Sequence, residues 1–212
     1  YEQLRVRRFE GWGEKLYSIT FRPGSSQSVA VGGAKSIWLA DLSRTNPLSS
    51  LIQASPSGGG GWSSVTATQD LGLLAALGTG DKIHRWQWDG RAYHPLGSIE
   101  TPERLDRIAL APDGRTLAGL SCAGKLLVYT LEPGPPTAPL VLAEPQTDSK
   151  RAPKACVLAF APNGQSFATG IGRSLRLWSH SETGDWRVTD DQQAPGTVLA
   201  LAYSPSGERL AS

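Results

Sequence analysis

VLAFAPNGQSFATGIGRSLRLWS, residues 157–179, carries the reading that decides the fold. An apolar run, a proline-glycine turn, a small-and-apolar run, a tight turn and a third run ending in tryptophan follow one another without a gap. Its opening phrase recurs as LYSITFRPG at 16–24, LDRIALAPDG at 105–114 and VLALAYSPSG at 198–207, with a fainter copy, SSVTATQDLG, at 63–72. The turn prolines Pro112, Pro162 and Pro205 are 50 and 43 residues apart. Self-similarity at this period means one supersecondary unit is repeated, and a single unit cannot bury its own apolar face.

After each turn stands a second run: SVAVGG at 28–33, LLAALG at 73–78, TLAGLS at 116–121 and SFATGI at 166–171. A third follows: SIWLADL at 36–42, KIHRWQW at 82–88, KLLVYTL at 125–131 and SLRLWS at 174–179. Short runs rich in aromatic and β-branched residues, bounded by Gly, Pro, Asp and Ser, are strands and turns rather than helices. A weaker fourth run closes each unit: LSSLIQA at 48–54, AYHPLGSI at 92–99, APLVLA at 138–143 and DWRVTD at 185–190. Four antiparallel strands per unit predict an all-β propeller of four-stranded blades. The expected blades are 11–54, 62–100, 104–143 and 155–190, with a partial blade at 197–212.

These residues resemble the WD-repeat β-propeller family over nearly the whole chain. The best-matched pieces are AFAPNGQSFATGIGRSLRLWS, ALAPDGRTLAGLS and RRFEGWGEKLYSITFRPG. The family's third-strand tryptophan aligns with Trp86 and Trp178, with Tyr129 and Ala40 at the other two positions; their spacings of 46, 43 and 49 track the repeat. The aspartate after it survives only as Asp41, and the family's Gly-His appears as Gly11-Trp12. The resemblance implies a buried His, Ser/Thr, Asp and Trp hydrogen-bonded set in each blade. Blade 2 offers Asp81, Thr79 and Trp86 without a histidine, so the blades are expected to lean on apolar packing and backbone ladders. Leu4–Phe9 reads as the outer strand of another blade. The C-terminal blade stops partway through a strand and the chain has no methionine, so we read it as a piece of a longer protein. The expected ring is incomplete, and open blade edges are expected to self-associate.

Composition narrows the function classes. The chain is 39% hydrophobic and 19% charged with a formal charge of +2, too little to expect nucleic acid as a partner. No apolar run approaches the ~20 residues of a membrane helix, so no membrane partner is expected. The N-terminus lacks the apolar stretch of a secretory signal. Two cysteines cannot form a disulfide framework, which fits a reducing compartment and a cytoplasmic location. A Cys122–Cys156 disulfide is geometrically conceivable, but buried or unpaired thiols are the expectation.

No catalytic motif stands out. The glycine-rich SPSGGGGW at 55–62 lacks the Gly-Lys-Ser/Thr and helix of a phosphate loop and reads as an inter-blade connection. EPGPPTAP at 132–139 and EPQTDSKRAP at 144–153 read as loop insertions. His84, His94 and His180 fall in different units with no ligand spacing, so no metal or cofactor is expected. The turn between second and third strands carries Lys35, Lys82, Lys125 and Arg173 at equivalent positions. On one propeller face these would form a partial basic arc able to meet an acidic partner, although lysine is also ordinary turn chemistry there. Trp12 and Trp62, in loops before a first strand, are candidate hot-spot residues, with Trp62 the better candidate for exposure, while core packing is the safer reading of both. The resemblance implies a non-enzymatic protein-interaction scaffold docking a protein or peptide on a propeller face. The alternative is the sensing or regulatory region of a larger effector such as a kinase, protease or NTPase.

Overall fold

The structure, a computed structural model, describes residues 15–21, 28–41, 48–52, 61–68, 72–78, 81–89, 91–131, 138–144, 155–181 and 184–212. The strand expected at Leu4–Phe9 and the Trp12 position lie outside them.

Four sheets of four strands follow one another. Blade 1 comprises β1 (Leu16–Phe21), β2 (Ser28–Gly33), β3 (Ile37–Asp41) and β4 (Leu48–Ile52). Blade 2 comprises β5 (Ser64–Ala67), β6 (Leu73–Leu77), β7 (Lys82–Trp88) and β8 (Tyr93–Glu100). Blade 3 comprises β9 (Arg107–Leu110), β10 (Thr116–Leu120), β11 (Leu126–Thr130) and β12 (Leu140–Ala143). Blade 4 comprises β13 (Cys156–Phe160), β14 (Ser166–Ile171), β15 (Ser174–His180) and β16 (Trp186–Gln193). A two-stranded sheet of β17 (Ala202–Tyr203) and β18 (Leu210–Ala211) comes last. Within each blade every strand pairs antiparallel with its sequence neighbour. The first strands β1, β5, β9, β13 and β17 contact one another in that order. The result is an all-β propeller arc that hydrogen bonds do not close among the described residues.

The turn chemistry explains why the units copy one another. In blade 3 the Ala111 N–H donates to Thr116 O at 2.8 Å and the Gly114 N–H to Ala111 O at 2.9 Å. Blade 4 repeats this with Ala161, Ser166 and Gly164, and the last hairpin with Ser204, Arg209 and Gly207. The three glycines have φ of 73°, 69° and 77°, a region that an L side chain enters only at a cost. The side chains of Asp113 and Asn163 accept the N–H two residues on, at 2.9 Å in both cases. A bulge recurs between the third and fourth strands of all four blades, at Ile37/Trp38, Arg85/Trp86, Leu126/Leu127 and Leu177/Trp178.

The core lies between blades. Leu117 of β10 packs toward blade 2 with Ala75, Leu77, Ile83 and Ile108, whereas Ala118 and Leu120 pack toward blade 4 with Cys156, Phe167 and Trp178. Burial on both faces is why the second strands are apolar runs rather than alternating ones. At the ends of the arc apolar groups stay uncovered: Ile19 of β1 is 63% exposed and Leu199, just before β17, is 73% exposed.

Two expectations are overturned. Cys122 and Cys156 are joined in a disulfide rather than held as thiols, their Cα atoms 5.1 Å apart. The turn after β10 and the first residue of β13, 34 residues apart in sequence, meet at the seam between blades 3 and 4, which turns the conceivable pairing into the actual one. Trp62 is not an exposed hot spot. It is 1% exposed, packed between blades 1 and 2 against Ala30, Ile37, Leu74 and Trp86. The backbone explains its position: the Trp62 N–H donates to Gly33 O at 2.9 Å. A Cβ on Gly32 would stand 2.9 Å from Trp62 O, so glycine permits the approach.

Candidate docking face

The turn between second and third strands brings the sequence-predicted cations to one end of each blade. Lys82 opens β7, Lys125 precedes β11 and Arg173 precedes β15. The ladders set their partners. Lys82 lies opposite Glu100 at the end of β8, and Lys82 Nζ reaches Glu100 Oε1 at 2.9 Å. Leu126 pairs with Ala143, so Lys125 meets the next residue, Glu144, at 2.8 Å. Ser174 pairs with Gln193, and the Arg173 Nε–H donates to the following carbonyl, Ala194 O, at 3.0 Å. One geometry therefore repeats in three blades: a cation in the inner turn latches the end of its blade's outermost strand. Lys35 occupies the matching turn of blade 1 and is exposed.

The carboxylates are what sequence reasoning missed. Lys125 also meets Glu103 of the connection between blades 2 and 3 at 3.1 Å, and its side chain is only 16% exposed. The hydrogen bonds that Lys125 donates to Glu144 and Glu103 raise its pKa. Arg176 Nε pairs with Asp191 Oδ2 at 2.9 Å on the same part of blade 4. Two of the cations on this face, Lys82 and Lys125, are paired with carboxylates, so the face is not a bare basic arc. In blade 4 the latch position holds alanine where Lys82 and Lys125 find glutamates, so Arg173 keeps its charge uncompensated by a carboxylate there.

A cavity of about 160 Å³ opens between blades 3 and 4 at this end. Cys122, Ala123 and Gly124 of the β10–β11 turn form one wall, and Ile171, Arg176 and Trp178 of blade 4 form the other. Small residues on one side and apolar groups on the other leave a slot whose one charged lining residue, among the described residues, is Arg176, paired with Asp191.

The repeat positions differ from blade to blade. Trp178 is buried and its indole N–H donates to Thr169 Oγ1 at 3.0 Å. Thr169 stands two residues from the Phe167 that pairs with Trp178. The same step leads to Ala76 beside Trp86 and Gly119 beside Tyr129, neither of which has a side-chain acceptor. Tyr129 is fully buried, its hydroxyl has no hydrogen-bond partner among the described residues, and burial, with Glu103 nearby, pushes its pKa up to about 12. Asp81 is exposed, and its carbonyl accepts the Thr101 N–H at 2.9 Å. Asp41 ends β3.

The histidines stay apart. His84 stacks near Trp86, His94 Nε2 meets Asp89 Oδ2 at 2.7 Å, and His180 packs on Trp186. None faces a serine or cysteine nucleophile in the hydrogen bonds they make among the described residues.

No protein-family model and no curated protein matches this chain. Among solved structures it is similar to the crystal structure of the Myceliophteria thermophila Cps50 (Swd1) beta-propeller domain, with a TM-score of 0.67 and 15% sequence identity. The match covers 98% of this chain and 63% of that one, so the chain spans less than two thirds of the structure it resembles. At this identity the likeness is one of fold. The chain is a β-propeller.

Proposed function

We propose that the chain is a non-enzymatic interaction scaffold of the WD-repeat type that docks a protein or peptide partner on the face bearing Lys35, Lys82, Lys125 and Arg173. The observation that carries this reading is the slot between blades 3 and 4, which is lined by Arg176 and by Ser174, the residue after Arg173. A rigid rim of latched strand ends around an apolar slot suits a partner segment with one apolar anchor and an acidic neighbour. Propeller fold alone does not establish such a role, and the slot is the feature that supports it.

The test is titration with peptides that pair an aromatic or aliphatic residue with aspartate or glutamate, read by tryptophan fluorescence. Binding should weaken as salt rises, because surface charges are screened. Arg173→Glu should weaken it further, whereas Arg115→Glu should not, since Arg115 follows the proline-glycine turn at the other end of its blade. Equal losses in the two variants would reduce the interaction to diffuse charge attraction, and no binding by any such peptide would remove the slot as the docking place.

A further inference from the structure

The seam between blades 3 and 4 carries a second cluster whose chemistry a staple alone does not require. The Cys122 and Cys156 sulfurs and an Asp106 carboxylate oxygen all lie within 4.8 Å of one another. Asp106 precedes β9, its N–H donates to Leu120 O at 2.9 Å, and its Oδ2 accepts the Cys122 N–H at 2.7 Å. Cys156 is buried in the seam, whereas Cys122 is partly exposed and lines the slot. Beyond anchoring the Cys122 backbone, the Asp106 carboxylate sets a third donor atom beside the two sulfurs. Beside two free thiols it would hold them protonated, unless a cation joined all three groups.

We propose that Cys122, Cys156 and Asp106 form a redox-gated site for a thiophilic divalent cation of the Zn²⁺ class. The site is closed while the two sulfurs are bonded to each other and opens once a dithiol reductant separates them. In that step the dithiol gives two electrons and two protons to the Cys122–Cys156 bond and leaves as its own cyclic disulfide. Metal binding then displaces one proton from each thiol, because the thiolate is the ligand. Two thiolates and one carboxylate are a sound donor set for zinc, at about 2.3 Å for sulfur and about 2.0–2.2 Å for oxygen. Tetrahedral coordination places the two sulfurs about 3.8 Å apart, within reach of side-chain rotation from Cα atoms 5.1 Å apart. The backbone N–H of Cys122 already orients the Asp106 carboxylate, as partners of metal ligands commonly do. The slot beside Cys122 supplies the entry path and a place for a water as fourth ligand.

The experiment uses the whole chain, reduced with dithiothreitol, freed of it without air, and titrated with Co²⁺ as the spectroscopic probe. The reduced protein should bind one equivalent with the visible bands of thiolate-bound cobalt, and Zn²⁺ should bleach them. The oxidised protein should bind none. Asp106→Asn should lower the apparent affinity about tenfold or more, and the double variant Cys122→Ser, Cys156→Ser should abolish the bands. Circular dichroism accompanies each titration. If reduction costs the protein its sheet spectrum, the metal should restore it, since binding and folding are linked. The proposal falls if the reduced protein binds Co²⁺ no better than the double variant, if Asp106→Asn binds as tightly as the parent, or if a reduced, unfolded chain stays unfolded with metal.

Discussion

The Trp62 indole stands edge-on to the His84 imidazole, with ring centroids 5.2 Å apart and planes at 88°. Trp62 comes from the connection into blade 2 and His84 from that blade's third strand. The pair closes the end of the core between blades 1 and 2, next to Trp86 at 5.6 Å from Trp62. Its geometry is the edge-to-face arrangement that aromatic rings favour.

His84 should make stability pH-dependent. Burial first, and the Lys82 charge second, lower its pKa below the ordinary 6.5. A lowered folded-state pKa means that protonation favours the unfolded chain. The stabilisation is therefore fully present above 6.5 and is lost as pH falls through the folded-state value. Urea midpoints measured on both sides of 6.5 should show this fall, and His84→Phe should flatten it. An unchanged slope in the variant would assign the pH dependence elsewhere.

Trp62→Ala should destabilise the fold by about 3–5 kcal/mol, as expected of a large buried side chain. Trp178→Ala should cost a similar amount, because Trp178 fills the other seam. Equilibrium urea unfolding of the two variants tests this. A near-neutral Trp62→Ala would return that residue to the surface.

Thr169→Val removes the acceptor for the Trp178 indole and leaves a buried N–H without a partner. The expected loss is about 1–3 kcal/mol. Ala76→Thr and Gly119→Thr do not reproduce the missing bonds equally. The donor in blade 2 is an indole N–H as in blade 4, whereas blade 3 offers the Tyr129 hydroxyl at the far end of its ring, and at Gly119 a Cβ would meet Leu105 Cδ1 at 2.5 Å. Chemical denaturation should find Gly119→Thr the worse of the two.

Charge reversal separates the two latches. Lys82→Glu faces one exposed carboxylate and should leave the melting temperature nearly unchanged at moderate salt. Lys125→Glu would set its charge against both Glu103 and Glu144 while losing the packing of a side chain that is only 16% exposed. Its melting temperature should fall further, and added salt should recover part of the difference. Equal melting temperatures would mean that Lys125 is no better anchored than Lys82.

The blades were legible because Pro-x-Gly turns punctuate the chain and only glycine suits their last position. KIHRWQW, read as a third strand, is β7 residue for residue. The fourth strand of blade 4 runs on to Gln193, past the expected end, because its outward face is polar and carries no apolar signal. The four turn cations were visible as a period, but Glu100 and Glu144 were not. Their relation to Lys82 and Lys125 is a matter of ladder register across a hairpin. Trp62 was hard to place because a tryptophan in a glycine-rich loop reads equally as anchor or hot spot, and the decision rests with Gly32 and Gly33 of the neighbouring blade. The choice between free thiols and a Cys122–Cys156 disulfide was undecided for a similar reason, since the bond crosses from one blade to the next.

That crossing makes residues 122–156 a covalently closed ring threaded with β11 and β12. A single backbone cut anywhere inside it yields two polypeptides that travel as one molecule until a reductant is added. Half of blade 3 can thus be opened without being released, and such a nicked chain would be a two-chain propeller, heavier than the intact protein only by the water taken up at the cut and parted into its two pieces only by reduction.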